Sequence, residues 1–100
     1  MAKGYWIGHV DVTDPEGYKA YMAADMVPFG KFGGRFLVRG GTRELVEGDV
    51  RGRTVVLELP SYEAALACYR SGDYQAAKKL RDGKSEIDLL IVEGYDGPQP

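Results

Sequence analysis

Hydrophobic and polar positions change their period four times along the chain, and the changes, with a break between the middle strands, outline strand, helix, strand, strand, helix, strand. Residues 5–12 are rich in aromatic and branched side chains and read as a first strand. Thr13-Asp14-Pro15-Glu16 then gives helix-start signals. Either Thr13 opens a capping box closed by Glu16, or Asp14 is the cap with Pro15 at the first helical position. Tyr18, Tyr21, Met22, Asp25, Met26 and Phe29 recur at helical spacing, and most of them are apolar. Pro28 has no amide donor and should kink or restart the helix near Met26; Gly33-Gly34 should end it.

Residues 35–38 form a second strand, broken by Gly40-Gly41 and expected to continue over 43–47 as a bulged or paired extension. Residues 53–59 form the third strand. Ser61 caps the next helix, whose inward stripe is Ala64, Ala65, Cys68 and Tyr69. Ser71-Gly72-Asp73 interrupts that helix and re-caps another over 74–81, which Gly83 ends. Residues 87–95 are the last strand. Two βαβ halves in about a hundred residues make an α+β, ferredoxin-like split βαβ plan. Its antiparallel sheet has strand order 4-1-3-2, with both helices on one face. The expected extent is one domain over 1–97 with a tail over 98–100.

Alternation along the strands separates two faces. One set is apolar throughout: Gly8, Val10, Val12, Phe36, Val38, Val55, Leu57, Leu59, Leu90 and Val92. It is assigned to the helix-covered core, with Trp6 on the same register. The other set mixes Ile7, Leu37, Val56, Leu89 and Ile91 with Tyr5, His9, Asp11, Arg39, Glu58, Glu93 and Tyr95. Such a mixture suits a dimer face that encloses a partly polar cavity, because a bare apolar sheet face must be hidden somehow. Taking the first and third strands as parallel neighbours puts Glu58 beside His9 or Asp11. A histidine next to a carboxylate is the minimum for acid–base chemistry. His9 and Glu58 are therefore the candidate catalytic residues. Arg39, Glu93 and Tyr5 are the candidate ligand-binding residues, and Arg39 beside Gly40-Gly41 suits an anionic ligand.

Composition narrows the classes. One hundred residues with net charge −2 carry no basic stripe of the kind that neutralises nucleic-acid phosphates. A chain of this size buries only about 60–65% of its unfolded surface, so a second copy is a natural source of stability. No apolar run reaches the ~20 residues that span a bilayer. The single cysteine, Cys68, cannot form an internal disulfide and reads as a buried small hydrophobe, which fits a reducing cytoplasm. No His, Cys and Asp spacing matches a metal site, no glycine pattern matches a phosphate loop, and any cofactor stays open. Lys78, Lys79, Arg81 and Lys84 read as a solvated, basic helix end.

Several blocks together resemble a known family. They are Gly4-Tyr5-Trp6-Ile7, Asp14-Pro15 with Tyr18 and Tyr21, Gly33-Gly34-Arg35-Phe36-Leu37-Val38-Arg39-Gly40-Gly41, Pro60-Ser61-Tyr62-Glu63-Ala64-Ala65, Tyr74-Gln75-Ala76-Ala77 and Ile91-Val92-Glu93-Gly94. The chain resembles the family known as domain of unknown function 1330, which is itself similar to the dimeric α+β barrel superfamily. That superfamily holds small monooxygenases, lactone isomerases and chlorite dismutase-like haem proteins. The resemblance implies the fold inferred above and a pocket, but no particular reaction. Two functions are carried forward. One is a small cofactor-independent enzyme acting on a small anionic or aromatic metabolite. The other is a non-catalytic dimeric module that binds a metabolite or a protein. The expected partners are a second copy of the chain and a small-molecule ligand, with no nucleic acid and no membrane.

Overall fold

The computed structural model describes residues 2–100. Four strands form one sheet in the order β2-β3-β1-β4, where β1 is Gly4–Val12, β2 Arg35–Arg39, β3 Arg53–Leu59 and β4 Ser85–Glu93. Every pairing is antiparallel. The helices α1 (Pro15–Ala24), α2 (Met26–Lys31), α3 (Tyr62–Arg70) and α4 (Gly72–Lys79) cover one face. This is the ferredoxin-like split βαβ arrangement that the element pattern predicts.

Local chemistry sets the helix ends. The Asp14 side chain accepts from the Gly17 amide, with Pro15 at the first helical position, so the second of the two start signals is the one used. Ser61 and Ser71 cap α3 and α4 through the amides of Ala64 and Tyr74. Proline at position 28 falls in the first turn of α2, where no amide partner is needed. The interruption therefore comes between Ala24 and Met26, and Asp25 is the residue at the break.

The core lies between sheet and helices and is built from rings. Tyr74 is fully buried, and Trp6 meets it edge-on at 4.8 Å and 87°. Trp6 meets Phe29 in the same way at 5.1 Å. Edge-to-face geometry places the positive ring rim against a negative face. The Trp6 Nε1–H donates to the Ala65 carbonyl at 2.9 Å, so its polar atom is satisfied where water is absent. Cys68 is buried in the same layer, and burial pushes its thiol up to about 11.

Four expectations need correction. First, β1 and β3 are antiparallel, because β3 returns from β2 and fills the gap between the two parallel strands β1 and β2. Glu58 therefore faces Tyr5, and His9 faces Thr54. Second, a bulge between Phe36 and Val38 shifts the register of β2. One extra residue turns every later side chain to the other face. Val38 thus points to the open face opposite Val56, and Arg39 to the covered face opposite Val55. Third, residues 43–47 form no strand and belong to an exposed loop over 40–52. Fourth, β4 has the opposite parity. Ile87, Leu89 and Ile91 pack against the core, whereas Leu90 and Val92 are exposed on the open face and Glu93 shares the parity of Ile91. The run 89–92 is apolar on both parities, so only Glu86 and Asp88 distinguish the faces.

Candidate functional site

The break between α1 and α2 gives the covered face the one buried carboxylate found among the described residues. Asp25 continues the inward stripe of Tyr18 and Tyr21, and its backbone serves the helices: its amide donates to Tyr21 O at 2.9 Å and its carbonyl accepts from Phe29 N at 3.2 Å. Its side chain makes no capping bond to α2. It is 5% exposed, and its Oδ1 has no hydrogen-bond partner. Buried polar atoms are seldom left so, and the cost is of order 1–3 kcal/mol.

Asp25 lines a small cavity of ≈ 50 Å³ between sheet and helices that opens to solvent. Trp6, Tyr18, Tyr21, Phe29 and Phe36 supply aromatic walls, and Arg39 and Arg53 supply the positive charge. Burial pushes the Asp25 carboxyl up to about 7, against the opposing pull of the Arg39 guanidinium. A carboxyl poised there can both take and return a proton at neutral pH. The Tyr21 hydroxyl lies 2.8 Å from that of Tyr74 and is held well above the usual phenol range, chiefly by burial, so it serves as a neutral hydrogen-bonding group. Arg39 lies over the Phe36 ring at 4.5 Å, which steers its guanidinium along the cavity rim.

Of the residues singled out from sequence, only Arg39 lines this cavity, and the bulge in β2 is what brings it there. Tyr5, His9 and Glu58 sit together on the open face of the sheet. The Tyr5 hydroxyl donates to Glu58 Oε2 at 3.1 Å, and that bond is the main cause holding its pKa above the ordinary phenol value. His9 Nδ1 is 3.1 Å from Thr54 Oγ1, which also accepts from Arg43 Nη1 at 3.1 Å. His9 and Glu58 are thus not neighbours: each is bonded to a different residue. Glu93 is exposed near the end of β4, opposite Gly4. Arg81 is buried rather than solvated, with its guanidinium over Tyr21 at 5.5 Å. Among the described residues no group of three or more His, Cys, Asp and Glu could hold a metal ion. Among the described residues no helix is long and apolar enough to cross a membrane.

Asp25 and Arg53 are the cavity residues that sequence reasoning did not select. Asp25 carried a signal, being an ionisable residue on an otherwise apolar helical stripe. Arg53 carried none, because its lack of a carboxylate partner is a property of the folded chain.

The chain is a two-layer α+β domain on the ferredoxin-like plan, with an aromatic cavity between its layers. The chain belongs to the family described as Domain of unknown function (DUF1330), which matches residues 3–95. No curated protein matches it in sequence. Solved structures share the fold at low identity. RPA0582 of Rhodopseudomonas palustris, a protein of unknown function, is 18% identical with a TM-score of 0.76, over 96% of this chain and 85% of that one. SnoaB of Streptomyces nogalater, a cofactor-independent oxygenase, is 12% identical with a TM-score of 0.63, over 100% and 97%. An ethyl tert-butyl ether d (ethd) family protein of Bacillus halodurans is 13% identical with a TM-score of 0.57, over 95% and 100%.

Proposed function

We propose that this protein is a cofactor-independent enzyme that holds a small, largely planar metabolite in the helix-covered cavity and moves one of its protons with Asp25. The observation that carries this reading is the buried Asp25 carboxyl, whose Oδ1 has no protein partner in a cavity walled by rings. In the step proposed, the substrate's acidic C–H proton passes to the Asp25 carboxylate. The electron pair stays on the substrate as an enolate or phenolate-like anion, and the proton returns from Asp25 at the end of the cycle. The cavity rim is cationic, which favours the developing negative charge. The similarity to SnoaB, described as a cofactor-independent oxygenase, supports a fold that does chemistry with its own side chains.

Tyr5, His9 and Glu58 then belong to the open face, which a second copy of the chain covers. The support is the exposed apolar set on that face, with Leu90 at 55%, Val92 at 41% and Val38 at 39%. Light scattering at micromolar concentration should give about twice the 11.0 kDa chain mass; a clean monomer contradicts this arrangement.

The test of the catalytic reading is a thermal-shift screen of small phenols, cyclic diketones and carboxylates. Stabilising compounds are then incubated with the protein in D2O and followed by NMR. Catalysed exchange of a C–H proton for deuterium that Asp25→Asn abolishes, with binding retained, is the expected result. Binding without exchange in the wild type would instead favour a non-catalytic metabolite-binding module.

A further inference from the structure

The cavity reading leaves open what kind of metabolite enters, and the charges at its mouth bear on that. Arg39 and Arg53 both line the cavity, and among the described residues neither is in ion-pair contact with a carboxylate. Antiparallel pairing places Arg39 opposite Val55, so Arg53 is its diagonal neighbour on the same face of β3. Such neighbours have Cα atoms roughly 7–8 Å apart, within the span of two guanidinium groups converging on one anion.

Arg53 is also held in place. Its guanidinium packs so closely against the backbone of Gly40 that an added Cβ there would collide with Nη1 and Cζ. Gly40 has φ +68°, a conformation that glycine adopts without strain, and its amide donates to Thr54 O at 2.8 Å. Glycine at this position thus meets a backbone need and leaves room for the Arg53 fork.

Beyond the two arginines the cavity adjoins a wider cleft of ≈ 480 Å³ that shares Val10 and Arg53 with it and is walled by Gly40, Gly41, Gly52 and Asp11. Asp11 does not neutralise Arg53. Its Oδ2 accepts from Arg51 Nη1 at 3.1 Å, and its Oδ1 from the Gly52 amide at 2.7 Å. The one carboxylate at the entrance is already committed, while two forked, unpaired cations lie between the entrance and the aromatic walls.

Resting on the cavity reading above, we infer that the substrate class is a small aromatic or similarly planar carboxylic acid, its carboxylate bridged by Arg39 and Arg53 and its ring among the aromatic walls. Planar guanidinium groups match a carboxylate bidentately, in a way that a lysine cannot. The charge sits at the mouth and the apolar body points inward, so Asp25 is left to face the ring or its substituents rather than the acid group.

The test is calorimetric titration of the intact protein at pH 6 with benzoate and with benzyl alcohol, its neutral counterpart. The expected result is benzoate binding at least 10-fold tighter than the alcohol. Arg39→Gln and Arg53→Gln should each weaken benzoate by about 10-fold while leaving the alcohol unchanged. Arg39 is exposed, so its variant reports on binding even if the Arg53 variant is poorly folded. Arg53→Lys, which keeps the charge and loses the fork, should recover only part of the benzoate affinity. Equal affinity for the two probes, or benzoate binding that both glutamine variants leave intact, overturns the clamp. Failure of benzoate to bind overturns it as well. The Asp25 reading is judged separately by deuterium exchange, so either proposal can fall without the other.

Discussion

Asp11 and Asp25 are the same side chain in opposite circumstances, and the contrast between them is the contrast between the two sides of this sheet. Asp11 lies on the open-face register of β1, and both of its oxygens are taken. The Gly52 amide is the first cause holding its carboxyl below the usual range, with Arg51 adding to it. Arg51 also reaches Glu86 at 3.0 Å and Asp88 at 3.3 Å, so one guanidinium ties the 40–52 loop to β1 and β4. Tyr5 with Glu58, and His9 with Thr54 and Arg43, complete a face whose polar groups satisfy one another. On the covered face Asp25 lacks a partner for Oδ1, and among the described residues neither Arg39 nor Arg53 is in ion-pair contact with a carboxylate. Paired polar groups stabilise and specify a surface; unpaired ones in a cavity leave hydrogen-bonding capacity for a ligand. A search for function among charged residues in sequence finds both kinds equally, and only the fold separates them.

The largest effect expected from breaking this contrast is on the pH dependence of stability. Folding raises the Asp25 pKa from its ordinary 3.8 to about 7. Between those values the folded chain holds a proton that the unfolded chain has released. The stabilisation is therefore fully present below about pH 4 and lost as the pH rises through 7, a span worth about 4 kcal/mol. The other charged or titratable groups lining the cavity are Tyr18 and Tyr21 from α1, Arg39 from β2 and Arg53 from β3; burial holds both phenols above their ordinary value, so they stay neutral in that interval. Urea unfolding of Asp25→Asn from pH 4 to 8 should lack this fall. A variant that keeps the wild-type slope would place its origin elsewhere.

The open face should respond with the opposite sign and to a smaller extent. The lowered pKa of Asp11 contributes stability above its ordinary value, lost only as the pH falls through the lowered one. Arg51→Ala should remove part of that acid-side contribution, and the loss should shrink in high salt because these charges are exposed. Its clearest readout is faster proteolysis within 40–52, since the variant cuts the loop's ties to three carboxylates. Unchanged cleavage would show that the loop is held by other contacts.

Much of the fold was legible because its signals are local. The caps at Asp14, Ser61 and Ser71 and the restart forced by Pro28 each act within a few residues, and the strand order follows from the split βαβ plan. Side-chain parity was less legible wherever a non-local feature decides it. The bulge after Phe36 sends Arg39 to the cavity, and the doubly apolar run of β4 conceals which of its sides is covered. The site was legible only in part for the same reason. Arg39 was selected as an anion-binding residue, although on the wrong face. Asp25 stood on the inward stripe but was outnumbered there by apolar neighbours. Proximity of His9 to Glu58 was inferred from a parallel pairing that the return of β3 excludes.

The most direct test of the central claim is a carbon-13 NMR titration of the Asp25 side-chain carboxyl in the wild-type protein, assigned by its loss in Asp25→Asn. A midpoint about 7 is predicted, and it would place at the cavity a group that exchanges a proton at neutral pH. A midpoint near the ordinary 3.8 would mean that Asp25 is solvated and permanently ionised, and the covered cavity would lose its proton-moving group.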